Sequence, residues 1–215
     1  MGFTPLFEIK NDFHAYISTQ KNKYESFESS SQHYIIGQER FLNQMFADIN
    51  KEDKILDIAC GDGVGLKWFR DNGYKNVFGF ELNENKVQIA KQTGFEIFIG
   101  DMHNLNCFND NTFDVVYSSH TLEHALNPFQ VLSEFKRILK NSGIFILVIP
   151  FPDKGPDDAH CGKYILKSDF ETAAKDPQAS LLINFLNEFG FKCVYKKFDS
   201  FREDEIWLKL INNKT

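Results

Sequence analysis

The residues best placed to do chemistry begin at position 57. The run Asp57-Ile-Ala-Cys-Gly61-Asp-Gly63-Val-Gly65 sets three glycines at alternate positions behind a carboxylate. Glycine lets a backbone turn tightly and meet a ligand without Cβ clashes. The GxGxG spacing differs from the GxGxxG of dinucleotide sites, which seat a pyrophosphate on a helix N-terminus. An acid at 57 would repel a pyrophosphate, whereas Asp57 and Asp62 suit a ligand carrying positive charge. Glu81 follows Gly61 by twenty residues. At that distance a carboxylate at a strand end can accept hydrogen bonds from both hydroxyls of a ribose. The chemistry implied is recognition of a cationic nucleoside.

Three histidines form a second set. His120 and His124 follow an apolar run at 113–117, and His160 lies in Asp157-Asp-Ala-His-Cys161. An imidazole titrates near neutrality and can take a proton from a nucleophile. The expected order for base or acceptor contact is His120, then His160, then His124. Glu123 and Asp157 or Asp158 are the candidate carboxylate partners. His120, His124, His160 and Cys161 lack the close, regular spacing of a zinc site, so no metal is expected.

The elements that must position these groups alternate. Residues 54–58, 76–80, 95–99, 113–117 and 144–149 read as buried strands. Helices are expected at 64–72, 84–92 and 128–140, the last with Asn127 at the N-cap and Pro128 at N1. A helix at 38–49 precedes them, and residues 24–31 read as a loop or loose helix. After a long connection at 151–178 come a helix at 180–188 and two strands, 191–198 and 205–211. The polar turn 199–204 between those strands is too short for a crossover, so they are antiparallel neighbours. The fold class is α/β: a doubly wound, seven-stranded Rossmann-like sheet, mostly parallel with one antiparallel strand, helices on both faces.

Composition excludes several classes. A net charge of −6 without a large Lys/Arg cluster argues against nucleic acid as partner. The longest apolar run, 144–150, is too short to span a bilayer, and 1–10 lacks a signal peptide's apolar stretch. Cys60, Cys107, Cys161 and Cys193 form no CxxC, which suits a reducing, cytoplasmic setting. The 23 Phe point first to aromatic core packing and second to an apolar cleft.

Taken together, Ile55-Leu-Asp-Ile-Ala-Cys-Gly-Asp-Gly63, Gly79-Phe-Glu81, Gly100-Asp-Met102, Phe113-Asp-Val-Val-Tyr117, Leu122-Glu-His124 and Asn127-Pro128 resemble the class I S-adenosylmethionine (SAM)-dependent methyltransferases. Within them the resemblance is to the type 11 small-molecule group, which includes ubiquinone and menaquinone C-methyltransferases. It is close over 50–150 and loose over 160–212. It implies SAM as cofactor, with Asp57, Cys60, Gly61, Asp62 and Gly63 around its methionine part. It further implies Glu81 and Leu82 at the ribose, Asp101 and Met102 at the adenine, and Ser118 and Ser119 beside the sulfonium. The organisation expected is one domain over 1–215: an N-terminal lid at 1–50, a SAM-binding core at 51–150, and an acceptor loop with closing elements at 151–215.

The function expected is methyl transfer from SAM to a small molecule, oxygen slightly favoured over carbon or nitrogen as acceptor, by a monomer or homodimer. The alternatives are a non-catalytic SAM-binding protein, a nicotinamide oxidoreductase, and a protein or RNA methyltransferase.

Overall fold

Buried apolar runs separated by glycine turns collapse into one sheet. The computed structural model describes residues 6–25 and 31–214, without the side chains of 6–12, 14, 24 and 25. Most of the stretch 24–31 lies outside them. The strands are β1 (Ile55–Ile58), β2 (Val77–Glu81), β3 (Glu96–Ile99), β4 (Phe113–Ser119), β5 (Leu139–Pro150), β6 (Phe191–Asp199) and β7 (Glu205–Asn212). Their order is β3-β2-β1-β4-β5-β7-β6. Strands β1 to β5 pair in parallel, and β7 runs antiparallel to both β5 and β6. This is the doubly wound sheet with one antiparallel strand that the alternation predicts.

The helices are α1 (Leu6–Glu25), α2 (Gln32–Met45), α3 (Val64–Asp71), α4 (Glu84–Ala90), α5 (Pro128–Ile138), α6 (Lys163–Leu166), α7 (Phe170–Lys175) and α8 (Ser180–Glu188). Successive strand residues face opposite sides, so β4 feeds two cores. Val116 joins Leu132 and Phe135 of α5 and Leu182 and Leu186 of α8 on one face. Val115 and Tyr117 join Phe41 and Phe46 of α2, Phe69 of α3 and Val87 of α4 on the other. The phenylalanines are largely core ladders: Phe41 meets Trp207 edge-on at 5.1 Å, and Phe108 meets Phe98 at 4.8 Å and Phe113 at 5.0 Å.

Two boundaries depart from the periodicity. Helix α2 starts at Gln32 rather than 38, because the Ser31 hydroxyl accepts the Tyr34 N–H at 3.2 Å and caps it. Its first turn stays at least partly exposed, so it carries no apolar stripe to read. Helix α5 ends at Ile138 rather than 140. Leu139 turns extended with ψ 141° and pairs with Phe113. The Asn212 side-chain amide then donates to the Lys136 and Lys140 carbonyls at 3.2 and 3.1 Å, satisfying groups the helix end leaves open.

Candidate active site

The carboxyl ends of β1, β2, β4 and β5 border a cavity of about 970 Å³. It sits where the strand order reverses between β1 and β4, the position at which open α/β sheets bind ligands. Its volume lies at the upper end for small-molecule sites. Asp57, Cys60, Gly61, Glu81, Leu82, Asp101, Met102, Ser119, His120, His124 and His160 line it. Asp62, Gly63 and Ser118 are not among its lining residues. Phe80 is the one Phe lining it among the described residues, so the surplus of Phe does not make an apolar cleft.

The first turn is built by backbone conformation. Ala59, Gly61 and Gly63 take φ of 56°, 54° and 85°. A Cβ at Gly61 would meet nothing within 4 Å, so this stretch of backbone is open to a ligand. At Gly63 a Cβ would press on the Thr93 methyl at 3.0 Å and Ala90 Cα at 3.2 Å. Gly63 therefore seats α3 against α4. The Glu81 carboxylate braces the turn, accepting the Gly61 N–H at 3.0 Å through Oε2 and the Asn83 N–H at 2.9 Å through Oε1.

Asp57 lies at the foot of this turn, 3% exposed. Burial, and then the neighbouring Glu81 charge, push its carboxyl well above the usual range. No cation pairs with it among the described residues. The Cys60 thiol is likewise pushed well up by burial and then Asp57, which makes it inert. Asp101 is tied to His103, whose backbone N–H and ring Nδ1 reach Oδ1 at 2.7 and 2.5 Å. His103 Nε2 accepts the Asn127 N–H at 3.2 Å, which places the ring proton on Nδ1.

Helices α1 and α2 close one side. Tyr16, Gln20 and Lys21 line the cavity from α1, and Tyr34 and Gln38 from α2. Gln20 Nε2 donates across to the Ala159 carbonyl at 3.2 Å, joining α1 to the 151–178 connection. Tyr16 packs edge-on against the His103 ring at 5.6 Å.

The three candidate histidines come together at the opposite end. His120 sits at φ 50°, and its Nε2 lies 2.7 Å from Glu205 Oε2. His124 Nδ1 lies 3.0 Å from the Ala159 carbonyl, and its ring meets His160 edge-on at 4.6 Å. Burial first, then the neighbouring His160, pull His124 down to about 4. His160 Nδ1 lies 2.7 Å from Asp153 Oδ1. The expected partners for His160 are thus corrected: Asp157 is held by Lys163 and Tyr164, and Asp158 by Lys23. Glu123 is fully buried beside the histidines, and burial pushes its carboxyl well up.

Glu205, Arg202 and Asp153 escape the sequence reading. Glu205 Oε2 takes both His120 Nε2 and Arg202 Nη2 (3.0 Å), and Oε1 takes Trp207 Nε1 at 2.6 Å. Burial works against the Glu205 charge, but the His120 bond and the Arg202 charge outweigh it and hold the carboxyl below its ordinary value. Arg202 lines the cavity nearly buried, with Nε and Nη1 lacking hydrogen-bond partners. His120 and Glu205 are 85 positions apart. Only the placement of β7 beside β5 joins them, through the Pro150–Glu205 pairing. The charges in the 199–204 turn were the available signal.

A methyltransferase-domain family profile matches residues 56–147, which run from β1 into β5. The uncharacterized protein MJ1123 of Methanocaldococcus jannaschii is 30% identical over 152 residues, 69% of this chain and 69% of that protein. The 24-methylenesterol C-methyltransferase 3 of Arabidopsis thaliana is 31% identical over 117 residues, 50% of this chain but only 33% of that enzyme's length. The solved structure of PH0226 from Pyrococcus horikoshii OT3 shares the fold at a TM-score of 0.66 and 22% identity, covering 90% of this chain and 99% of that one. No helix among the described residues is long and apolar enough to cross a membrane. With the glycine turn, the strand-end acid and the sheet order in one place, the chain belongs to the methyltransferase-domain family of class I SAM-dependent methyltransferases.

Proposed function

We propose that the cavity binds SAM and that the protein transfers its methyl group to a small-molecule acceptor. The observation that carries this is a buried acid and a buried guanidinium, each with unused hydrogen-bonding capacity, lining one pocket. Asp57 is a buried acid with no cation beside it among the described residues, and Arg202, paired with Glu205 through Nη2, keeps Nε and Nη1 without hydrogen-bond partners. The amino-acid end of SAM bears an ammonium and a carboxylate, which match them. Tyr34 and Tyr117 feel both Asp57 and Arg202, so the two charges flank one space. Glu81 stands where it can accept from a ribose, and Asp101 and Met102 where they can border an adenine.

Bound there, SAM supplies an electrophilic methyl group on a sulfonium. The chain's residues align the acceptor, and orientation alone can lower such a barrier by up to ~7–11 kcal/mol. His120 is the proton acceptor of this reading: the Glu205 carboxylate fixes the Nε2 proton, leaving the Nδ1 lone pair for the nucleophile. The overall charge of −6 favours a small acceptor over nucleic acid. His120→Ala is expected to lower kcat at least roughly tenfold without weakening SAM. Unchanged turnover across an acceptor panel would remove His120 from the mechanism.

A further inference from the structure

Asp101 lines the cavity with its side chain 15% exposed, and both of its side-chain hydrogen bonds among the described residues fall on one oxygen. Oδ1 accepts the backbone N–H of His103 at 2.7 Å and faces the ring Nδ1 at 2.5 Å. The first bond closes a turn of the kind Asp makes with its own backbone two residues on. The second needs an imidazole in one orientation and one tautomer. A carboxylate rotates about a broad torsion. Two bonds on Oδ1 stop that rotation and leave Oδ2 for a ligand.

His103 is out of a ligand's reach. Its side chain is 1% exposed, and it is not among the residues that line the cavity. Elements distant in the chain fasten it. Its Nε2 takes the N–H of Asn127, the N-cap of α5, at 3.2 Å. A proton on Nε2 would confront that N–H, so the ring proton stays on Nδ1, against Asp101. Gln130 of α5 donates to the His103 carbonyl at 2.8 Å. From α1, Phe13 and Tyr16 set their rings edge-on to the imidazole, at centroid distances of 5.4 and 5.6 Å.

Core filling alone does not call for this residue. An apolar ring would pack against Phe13 and Tyr16 without burying two nitrogens, which is costly unless both are hydrogen-bonded. What an imidazole adds is a donor on one side and an acceptor on the other. Here the donor serves the one carboxylate at this corner of the cavity, and the acceptor serves a helix end. We infer that His103 is the positioning residue of the adenine seat: held by α1 and α5, it fixes the Asp101 carboxylate so that Oδ2 meets the exocyclic amino group of the cofactor's base. This rests on the SAM-binding reading of the cavity. It makes the rings of the N-terminal helix part of the support of that seat, acting through His103.

The test compares His103→Ala with His103→Asn by calorimetry with S-adenosylhomocysteine (SAH), after the wild type. Both variants take the ring away from Phe13 and Tyr16, so both should lose Tm. Only asparagine keeps an N–H donor where Nδ1 stood. His103→Ala is expected to bind SAH at least roughly tenfold more weakly, the low end for one charge-assisted hydrogen bond, and His103→Asn to stay near the wild type. Asp101→Asn, which can turn a donor towards the base, should also fall at least roughly tenfold. Adding His103→Ala to it should bring little more, since members of one hydrogen-bond network do not act independently. The 15N signals of His103 should place the proton on Nδ1 and shift with SAH. Equal losses in His103→Ala and His103→Asn would overturn the inference, because a merely structural role predicts them. So would additive losses in the double variant, unaltered affinity in Asp101→Asn, or a proton on Nε2. A wild-type protein that binds no SAH would remove the parent reading, and the inference with it, before any variant is compared.

Discussion

Replacing Glu205 by glutamine tests the buried charge network behind the histidines. The carboxylate accepts from His120, Arg202 and Trp207 at 2.7, 3.0 and 2.6 Å, and its side chain is 1% exposed. An amide of the same shape offers one oxygen, so at least one of the three donors faces an N–H. It also leaves the Arg202 guanidinium, 6% exposed, without a counter-charge. Breaking a buried pair from one side costs about 3–5 kcal/mol. At roughly 2–4 °C per kcal/mol for a chain of this size, Tm should fall by about 6–20 °C at pH 7.5. The pH dependence has a definite sign. The folded carboxyl titrates below its ordinary value of 4.5, so its contribution is present above that pH and fades as pH falls through the folded value. The gap between wild type and Glu205→Gln should therefore narrow below about pH 4.5. Differential scanning fluorimetry from pH 7.5 to 4 measures both. A Tm within about 2 °C of wild type at pH 7.5 would refute the claim that Glu205 compensates Arg202.

Two further predictions separate binding from packing. Gly61→Ala meets no atoms and carries only the left-handed backbone penalty, about 1–2 kcal/mol, but its methyl projects into the ligand space. It should lower SAM affinity at least tenfold with a small loss of Tm, whereas Gly63→Ala, pressed against Ala90 and Thr93, should lose more Tm; paired melting and binding curves decide. Arg202→Met should weaken both SAM and SAH roughly tenfold or more, the value of one charge-assisted hydrogen bond at about 1.5–3 kcal/mol, and equilibrium dialysis with labelled SAM measures it.

Local physics made the glycine-turn end of the cavity legible. Apolar strands ending in glycine turns carry their own periodicity, so Asp57, Gly61, Glu81 and Asp101 could be placed from spacing and resemblance. The antiparallel pairing of the last two strands then followed from the one turn too short for a crossover, 199–204. The histidine end was hidden because its pairs are long-range. His160 meets Asp153 rather than the adjacent Asp157, because Lys163 and Tyr164 take Asp157. Glu205 reaches His120 only through the β5–β7 pairing. Arg202 sits in a turn whose charges looked solvated, yet its Cγ and Cδ pack over Gly37, where a Cβ would lie 2.2 Å from Cγ. Helix α2 began early for a similar reason: its cap is one hydroxyl, and its first turn faces the cavity through Tyr34.

The most direct test of the central claim is calorimetry with SAM and with SAH on wild-type protein and Glu81→Ala. One binding site for each ligand is expected, weakened at least about tenfold in the variant, since Glu81 would accept two charge-assisted bonds worth ~1.5–3 kcal/mol each. Heat from neither ligand with the wild-type protein, or affinity untouched by Glu81→Ala, would contradict it.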